Sequence, residues 1–257
     1  MFRTYFHKLI RSPLLYVAII GTAVICMLQT GLVSYSRGKL GQTVVFDIDY
    51  MLSIQDFPKI MSIMCSLPFA ANFASEWKNH VTTQCVTRCG VKKYTAANIF
   101  FCAISSFFAV MAGMLLFSLI HSFFVPFCNE NDFKYYNVCH GQIIADGHPF
   151  LYLLSNIFIF AVGISMTSVM GLMMSAIFPD KYIAVCTPLV FNFFIERLTG
   201  NWTPLLRFPQ LLSSTFPQLY NPILSILYTF ALFSVMAALC GLMFAHIVKR
   251  RVRSEIA

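Results

Sequence analysis

The sequence predicts an all-α polytopic membrane protein, with an N-terminal amphipathic interfacial helix followed by six transmembrane helices. Three observations carry this. First, 58% of the 257 residues are hydrophobic and only 11% are charged, with mean hydropathy +0.72; a soluble domain needs roughly 25% charged residues to cover its surface. Second, several uncharged runs exceed the ~20 residues that a helix needs to cross a bilayer. They are apolar throughout, whereas the strands of a membrane barrel alternate in and out. Third, the basic residues fall unevenly on the two sides of the predicted spans.

The spans are placed at 14–34, 57–75, 96–125, 150–177, 182–196 and 221–247. Both termini then share one side with twelve basic residues and three acids. The opposite side holds six basic residues and seven acids. Lysine and arginine mark the cytoplasmic side, so both termini are predicted there. The net charge of +8 is thereby accounted for by topology and by affinity for anionic lipid, and nucleic acid is not expected as a partner.

Residues 1–12 form the interfacial helix. Phe2, Phe6, Leu9 and Ile10 make its apolar face, and Arg3, His7 and Arg11 recur every four residues on the other. Pro13 ends it. The run after it is too long for a signal-peptide core and lacks a small-residue cleavage site, which predicts an uncleaved first span. From about Ser34 to Gln55 the chain reads as an outer loop, and Asp47, Asp49 and Asp56 as its solvated acids. Span two is interrupted by Pro68, which removes a backbone bond and kinks a membrane helix. Asn72 and Glu76 close it, four residues apart on one face.

Next comes a polar island, Ser75 to Ala97, with Lys78, Arg88, Lys92 and Lys93 against the single acid Glu76. Its middle, Asn79 to Cys89, has the length of a three-turn helix, with Gly90 placed to stop it. Span three has no charged residue between Tyr94 and Asn129; its His121 reads as an interfacial residue. Span four carries Gly163, Thr167, Gly171 and Ser175, one small residue every four, a pattern that lets membrane helices approach closely. Met166, Met170, Met173 and Met174 run beside it; core packing is their expected role, and Met166 and Met170, with Asn192 of span five, are the candidates for a substrate path. The turn from Phe178 to Tyr182 makes a tight hairpin into span five. Residues 198–220 are apolar but broken by Pro204, Pro209 and Pro217, which suits a re-entrant outer segment.

Cys26, Cys65, Cys102, Cys186 and Cys240 lie in apolar runs and read as packing residues. Cys128 and Cys139 share an outer loop, leaving a disulfide open. No G-x-x-x-x-G-K-[ST], H-E-x-x-H or G-x-S-x-G occurs, and no metal site or bound cofactor is expected. The spans lack the mid-membrane ionisable residues of ion-coupled transporters. His80, Cys85 and Cys89 could make a thiolate nucleophile, which gives a second reading: a membrane-embedded cysteine protease or processing enzyme using His80 with Cys85 or Cys89.

The order of features over nearly the whole chain resembles the permease subunits of ABC-2 type transporters, in particular small bacterial exporters of lantibiotics, other antimicrobial peptides or phenol-soluble modulins. The most specific stretch is Phe73 to Asn98. In that family an acid ends span two, a coupling helix follows, and a basic-aromatic segment enters span three. Here those are Glu76, Asn79 to Cys89, and Lys92-Lys93-Tyr94. The family often has Gly-Thr in the coupling helix and a lysine entering span three; this chain has Val81-Thr82 and Asn98.

The resemblance implies a transporter subunit of the bacterial plasma membrane and not an enzyme. It implies a separate ATPase partner that holds ATP and magnesium, and a second permease copy as homodimer partner. Membrane lipid would surround the spans, and the cargo would be an amphipathic or hydrophobic peptide or a lipid-like molecule. The residues expected to contact the ATPase are Glu76, Lys78, Asn79, His80, Val81, Thr82, Gln84, Arg88, Lys92 and Lys93.

Overall fold

The computed structural model describes residues 2–37, 43–54, 56–129, 143–144, 146–203, 206–213 and 221–256. Every regular element among them is a helix. In chain order they are α1 (Phe2–Arg11), α2 (Pro13–Arg37), α3 (Val44–Ser53), α4 (Phe57–Ser66), α5 (Asn72–Lys78), α6 (Val81–Cys89) and α7 (Val91–His121). Then follow α8 (Pro149–Ile177), α9 (Lys181–Thr199), α10 (Phe208–Ser213) and α11 (Pro222–Ile256).

Among the described residues five helices are long and apolar enough to cross a membrane: α2, α7, α8, α9 and α11. The predicted second span is not one helix. It is α4 and α5, of 10 and 7 residues, joined by a tight turn over 67–71. Pro68 sits in that turn and has no N–H to donate. Hydroxyls satisfy carbonyls beside the break: Ser106 Oγ donates to the Cys65 carbonyl at 2.7 Å, and Ser66 Oγ to the Ile63 and Val185 carbonyls.

α8 is the axis of the bundle. Within its apolar window 78% of residues are buried, against 22% for α11 and 28% for α2. Such an all-round apolar helix is stable only with neighbours on every side. Its small residues set how near they come. A Cβ on Gly171 would stand 2.4 Å from the Ala184 carbonyl oxygen of α9. One on Gly163 would stand 2.3 Å from Leu212 Cδ2 of α10. Thr167 and Ser175 are fully buried and turn their hydroxyls to carbonyls of α8 itself. Met166 and Met170 are buried in the apolar core around α8.

Two expectations change. The stretch read as a solvated outer loop contains α3, whose Val44, Val45, Ile48, Met51 and Leu52 are buried. Two of the three acids, Asp47 and Asp49, are held by distant partners. Asp47 is buried and meets His121 Nε2 at 2.8 Å, which also makes His121 a partner and not simply an interfacial residue. Asp49 accepts from Tyr152 Oη at 2.6 Å and from Asn156 Nδ2 at 3.0 Å. Asp56 is solvated as expected, its side chain 74% exposed, and pairs with Lys59 at 2.8 Å. The predicted ends also shift: α7 starts at Val91 and α11 carries the basic tail Lys249–Arg253 inside its last turns. In the proposed re-entrant segment, α10 is short and buries Phe208, Leu211 and Leu212; Pro204, Pro217 and residues 214–220 lie outside the described residues, as does Cys139.

Both termini lie at one end of the bundle. Tyr5 and Leu9 of α1 and Val248 and Val252 of α11 share one buried apolar cluster with Phe73, Val86 and Tyr94.

Candidate functional site

That end is organised by one acid. Glu76 is 7% exposed, and four donors converge on it. Tyr94 Oη donates at 2.8 Å and Tyr5 Oη at 3.0 Å to Oε2. Asn72 Nδ2 donates at 2.9 Å and Lys8 Nζ at 3.1 Å to Oε1. Asn98, fully buried, adds Nδ2 to Tyr5 Oη at 3.3 Å and takes a bond from Asn72 at 3.4 Å. Lys8 also donates to Asn72 Oδ1. Thr82 of α6 meets Tyr94 Oη at 3.3 Å. One side chain therefore ties α1, α5 and α7 together, and Thr82 brings α6 into the same network.

The bonds are unequal. The Lys8 side chain is 52% exposed, and an ion pair with one end in solvent is worth ~0–1 kcal/mol. The tyrosine bonds are buried and made to a charged acceptor, worth ~1.5–3 kcal/mol each. Burial, and then the neighbouring Glu76 charge, push the Tyr5 phenol far up, so it stays a donor.

Local sequence places the short helices. Asn72, Phe73 and Glu76 recur at helical spacing, so Phe73 and Glu76 both point inward from α5. His80 then turns the chain with φ 55, a left-handed conformation uncommon outside glycine. Thr82 and Val86, four apart, form the buried face of α6. Gly90 ends it at φ 80, where its N–H bonds the Val86 carbonyl at 2.8 Å. α7 begins at the next residue.

The predicted contact residues divide into two groups. Glu76 and Thr82 are buried members of the junction. Lys78, Asn79, His80, Val81, Gln84, Arg88, Lys92 and Lys93 are exposed and form the outer face of α6 and its flanks. Lys78 lies 3.9 Å from Asp180 of the α8–α9 hairpin. Trp77 is covered by Arg251 of α11, 5.5 Å from the ring, which also bonds the Ile177 carbonyl.

Tyr5, Lys8 and Asn98 were not expected as functional neighbours of Glu76. On α1, Tyr5 and Leu9 are buried against the protein, and Phe6 and Ile10 of the expected apolar face are exposed; the Phe2 side chain is outside the described ones. The signal for Tyr5 is its place four residues before Leu9, with a polar tip on an apolar ring.

His80 is exposed at the head of α6, and Cys85 is half-buried. Burial first, and the Glu76 charge second, push the Cys85 thiol up. An activated nucleophile needs the opposite direction. Among the described residues no three of His, Cys, Asp or Glu are grouped so as to hold a metal ion.

No protein-family model, no curated protein and no solved structure matches this chain.

Proposed function

We propose that the chain is the permease subunit of an ATP-driven exporter of the ABC-2 type, moving amphipathic or hydrophobic peptides or lipid-like molecules out of a bacterial cell. The observation that carries this reading is the Glu76 junction. It fixes a short helix, α6, against the end of the bundle while leaving its other side exposed, with Arg88 on it and Lys78, Lys92 and Lys93 exposed on the flanking helices. A helix held by its buried side and open on the other is what a separate motor protein needs to push. The energy for transport would come from that partner, which would hold ATP and magnesium; no nucleotide motif occurs in this chain. A second copy of the chain would complete the transport path.

In this reading the end holding both termini is cytoplasmic, in line with its twelve basic residues. α4 and α5 together make the sixth crossing, as a helix broken at 67–71. α1 lies along the inner membrane surface, with Phe6 and Ile10 facing lipid and Tyr5 and Leu9 facing protein.

The test is co-purification. The chain is expressed with candidate P-loop ATPases of its source organism, and each pair is captured through a tag on the permease. A stable complex is expected, weakened by charge reversal at Arg88 or Lys92. Undiminished ATPase capture after deletion of 79–90 would sink the proposal.

A further inference from the structure

At the end of the bundle away from the termini, α4, α9 and α10 surround a half-open hollow of about 810 Å3. α9 starts next to Asp180, the partner of Lys78 at the termini end, and runs 19 residues to Thr199. At ~1.5 Å per residue its far end is roughly 28 Å away, close to the ~30 Å of a bilayer's hydrocarbon core. The hollow therefore sits at headgroup level on the opposite side. Asn192 lies in its wall, buried.

The charged residues lining it are Asp56, Lys59, Glu196, Arg197 and Arg207. Three of the six basic residues assigned to the outer side thus meet in one place. Lys59 is already matched: it is held between Asp56 at 2.8 Å and Glu196 at 2.9 Å, with the Phe193 ring 4.2 Å from its nitrogen. Arg197 and Arg207 have no ion pair among the described residues. A guanidinium stays charged in a protein. The lining is left with one net positive charge, presented by two unmatched guanidiniums.

Apolar surface continues from this charge. Val190, Phe194 and Arg197 stand at i, i+4 and i+7, hence on one face of α9, and all three are exposed. From the arginine that face runs back into the bilayer as an apolar stripe. Trp202, exposed, directly follows the lining residues Gly200 and Asn201; tryptophan gathers where membrane meets water.

These features select among ligand classes. A cation meets a net positive wall. A small soluble anion satisfies the guanidiniums and leaves the stripe bare. A doubly charged phosphate monoester brings excess negative charge against Asp56 and Glu196. A monoanionic amphiphile suits both parts. We infer that the hollow seats the headgroup of an anionic phospholipid from the leaflet on that side, its phosphodiester on Arg197 and Arg207 and its acyl chains along Phe194 and Val190. A fatty-acid carboxylate would leave most of the hollow empty. A glycerol headgroup fills more of it and finds polar groups on Asn201 and Ser53. The lipid is a resident ligand and not cargo, so the inference does not rest on the export reading.

The two tryptophans are Trp77 and Trp202, so Trp77→Phe leaves Trp202 as a reporter beside the hollow. The full chain with that change is reconstituted in phosphatidylcholine vesicles containing rising fractions of phosphatidylglycerol brominated on its acyl chains. Bromine quenches tryptophan on contact, and the quenching curve gives the preference for one lipid over the other. Phosphatidylglycerol should be preferred by about tenfold. Arg197→Gln with Arg207→Gln should bring that preference to about one. If the double variant does not fold, Arg197→Gln alone, at an exposed position, should lower it about threefold. Arg250→Gln with Arg253→Gln removes the same charge at the other end and should leave the preference at Trp202 unchanged.

Equal quenching by brominated phosphatidylcholine, an unchanged preference in the arginine variant that folds, or an equal loss in the Arg250 and Arg253 variant would each overturn the inference. So would displacement by oleate as effective as by phosphatidylglycerol, or loss of the preference in excess inorganic phosphate.

Discussion

At the scale of single residues, two carboxyl groups carry the most. Glu76 is the acceptor for two buried phenols, an amide and a lysine. Glu76→Ala leaves those donors facing each other with nothing between them, and should cost on the order of 3 kcal/mol. Glu76→Gln keeps an acceptor and should cost less. Denaturation of the purified protein in detergent measures both, and a Glu76→Ala protein as stable as wild type would show that the junction is not a stabilising element. Asp49 behaves differently. Burial pushes its carboxyl up from 3.8 to about 7, against the opposing pull of its bonds from Tyr152 and Asn156. The folded state therefore favours the protonated acid. Stability from this group is complete below the unfolded value of 3.8 and is lost as pH rises through about 7. The thermal midpoint should fall between about pH 5 and about pH 8. In Asp49→Asn, which titrates nothing, this part of the slope should vanish; an unchanged slope would place the pH dependence elsewhere.

At the scale of helices, the small residues of α8 make a prediction that separates two kinds of obstacle. At Gly171 an added methyl meets a backbone oxygen, which cannot move without shifting α9; at Gly163 it meets the end of the Leu212 side chain, which can turn aside. Gly171→Ala should therefore destabilise by about 1–3 kcal/mol and Gly163→Ala by less. Equal losses in a thermal-shift series would mean that α9 yields as readily as a leucine rotamer. The same helices show how much of the fold was written in the sequence. α2, α7, α8 and α11 were legible because an uncharged run of membrane length admits few other structures, and the shorter α9 followed from the tight hairpin before it. α3 was not. Its sequence, VVFDIDYMLS, carries two acids in ten residues, and acids in a connecting segment read as solvated. What buries them is far away in the chain: His121 is 74 residues from Asp47, and Asn156 is 107 from Asp49. The candidate site divides in the same manner. Asn72 and Glu76 were visible from their spacing on one face, and Tyr94 entered only through the family resemblance. Tyr5, 71 residues before Glu76, could be placed only by the fold.

At the scale of the whole molecule, the shared cluster of α1, α5, α6, α7 and the tail of α11 brings both termini to one end. Reporters fused to the two termini should therefore report the same side of the membrane, and opposite sides would contradict the arrangement. In the proposed exporter, replacing Cys85 and Cys89 by Ala should leave cargo movement largely intact, whereas a cysteine enzyme would lose its activity entirely. One further consequence lies in Gly90. It is at once the last cap of α6 and the first of α7, with no linker between the two helices. α6 is then a crank arm set on the end of a 31-residue shaft, and the torsions of one residue form the crankpin. Torque applied to α6 would turn α7 with little slack. In the proposed exporter, a few flexible residues inserted after Gly90 should act as a slipping clutch: the ATPase would still bind and still hydrolyse ATP, and the shaft would stay still.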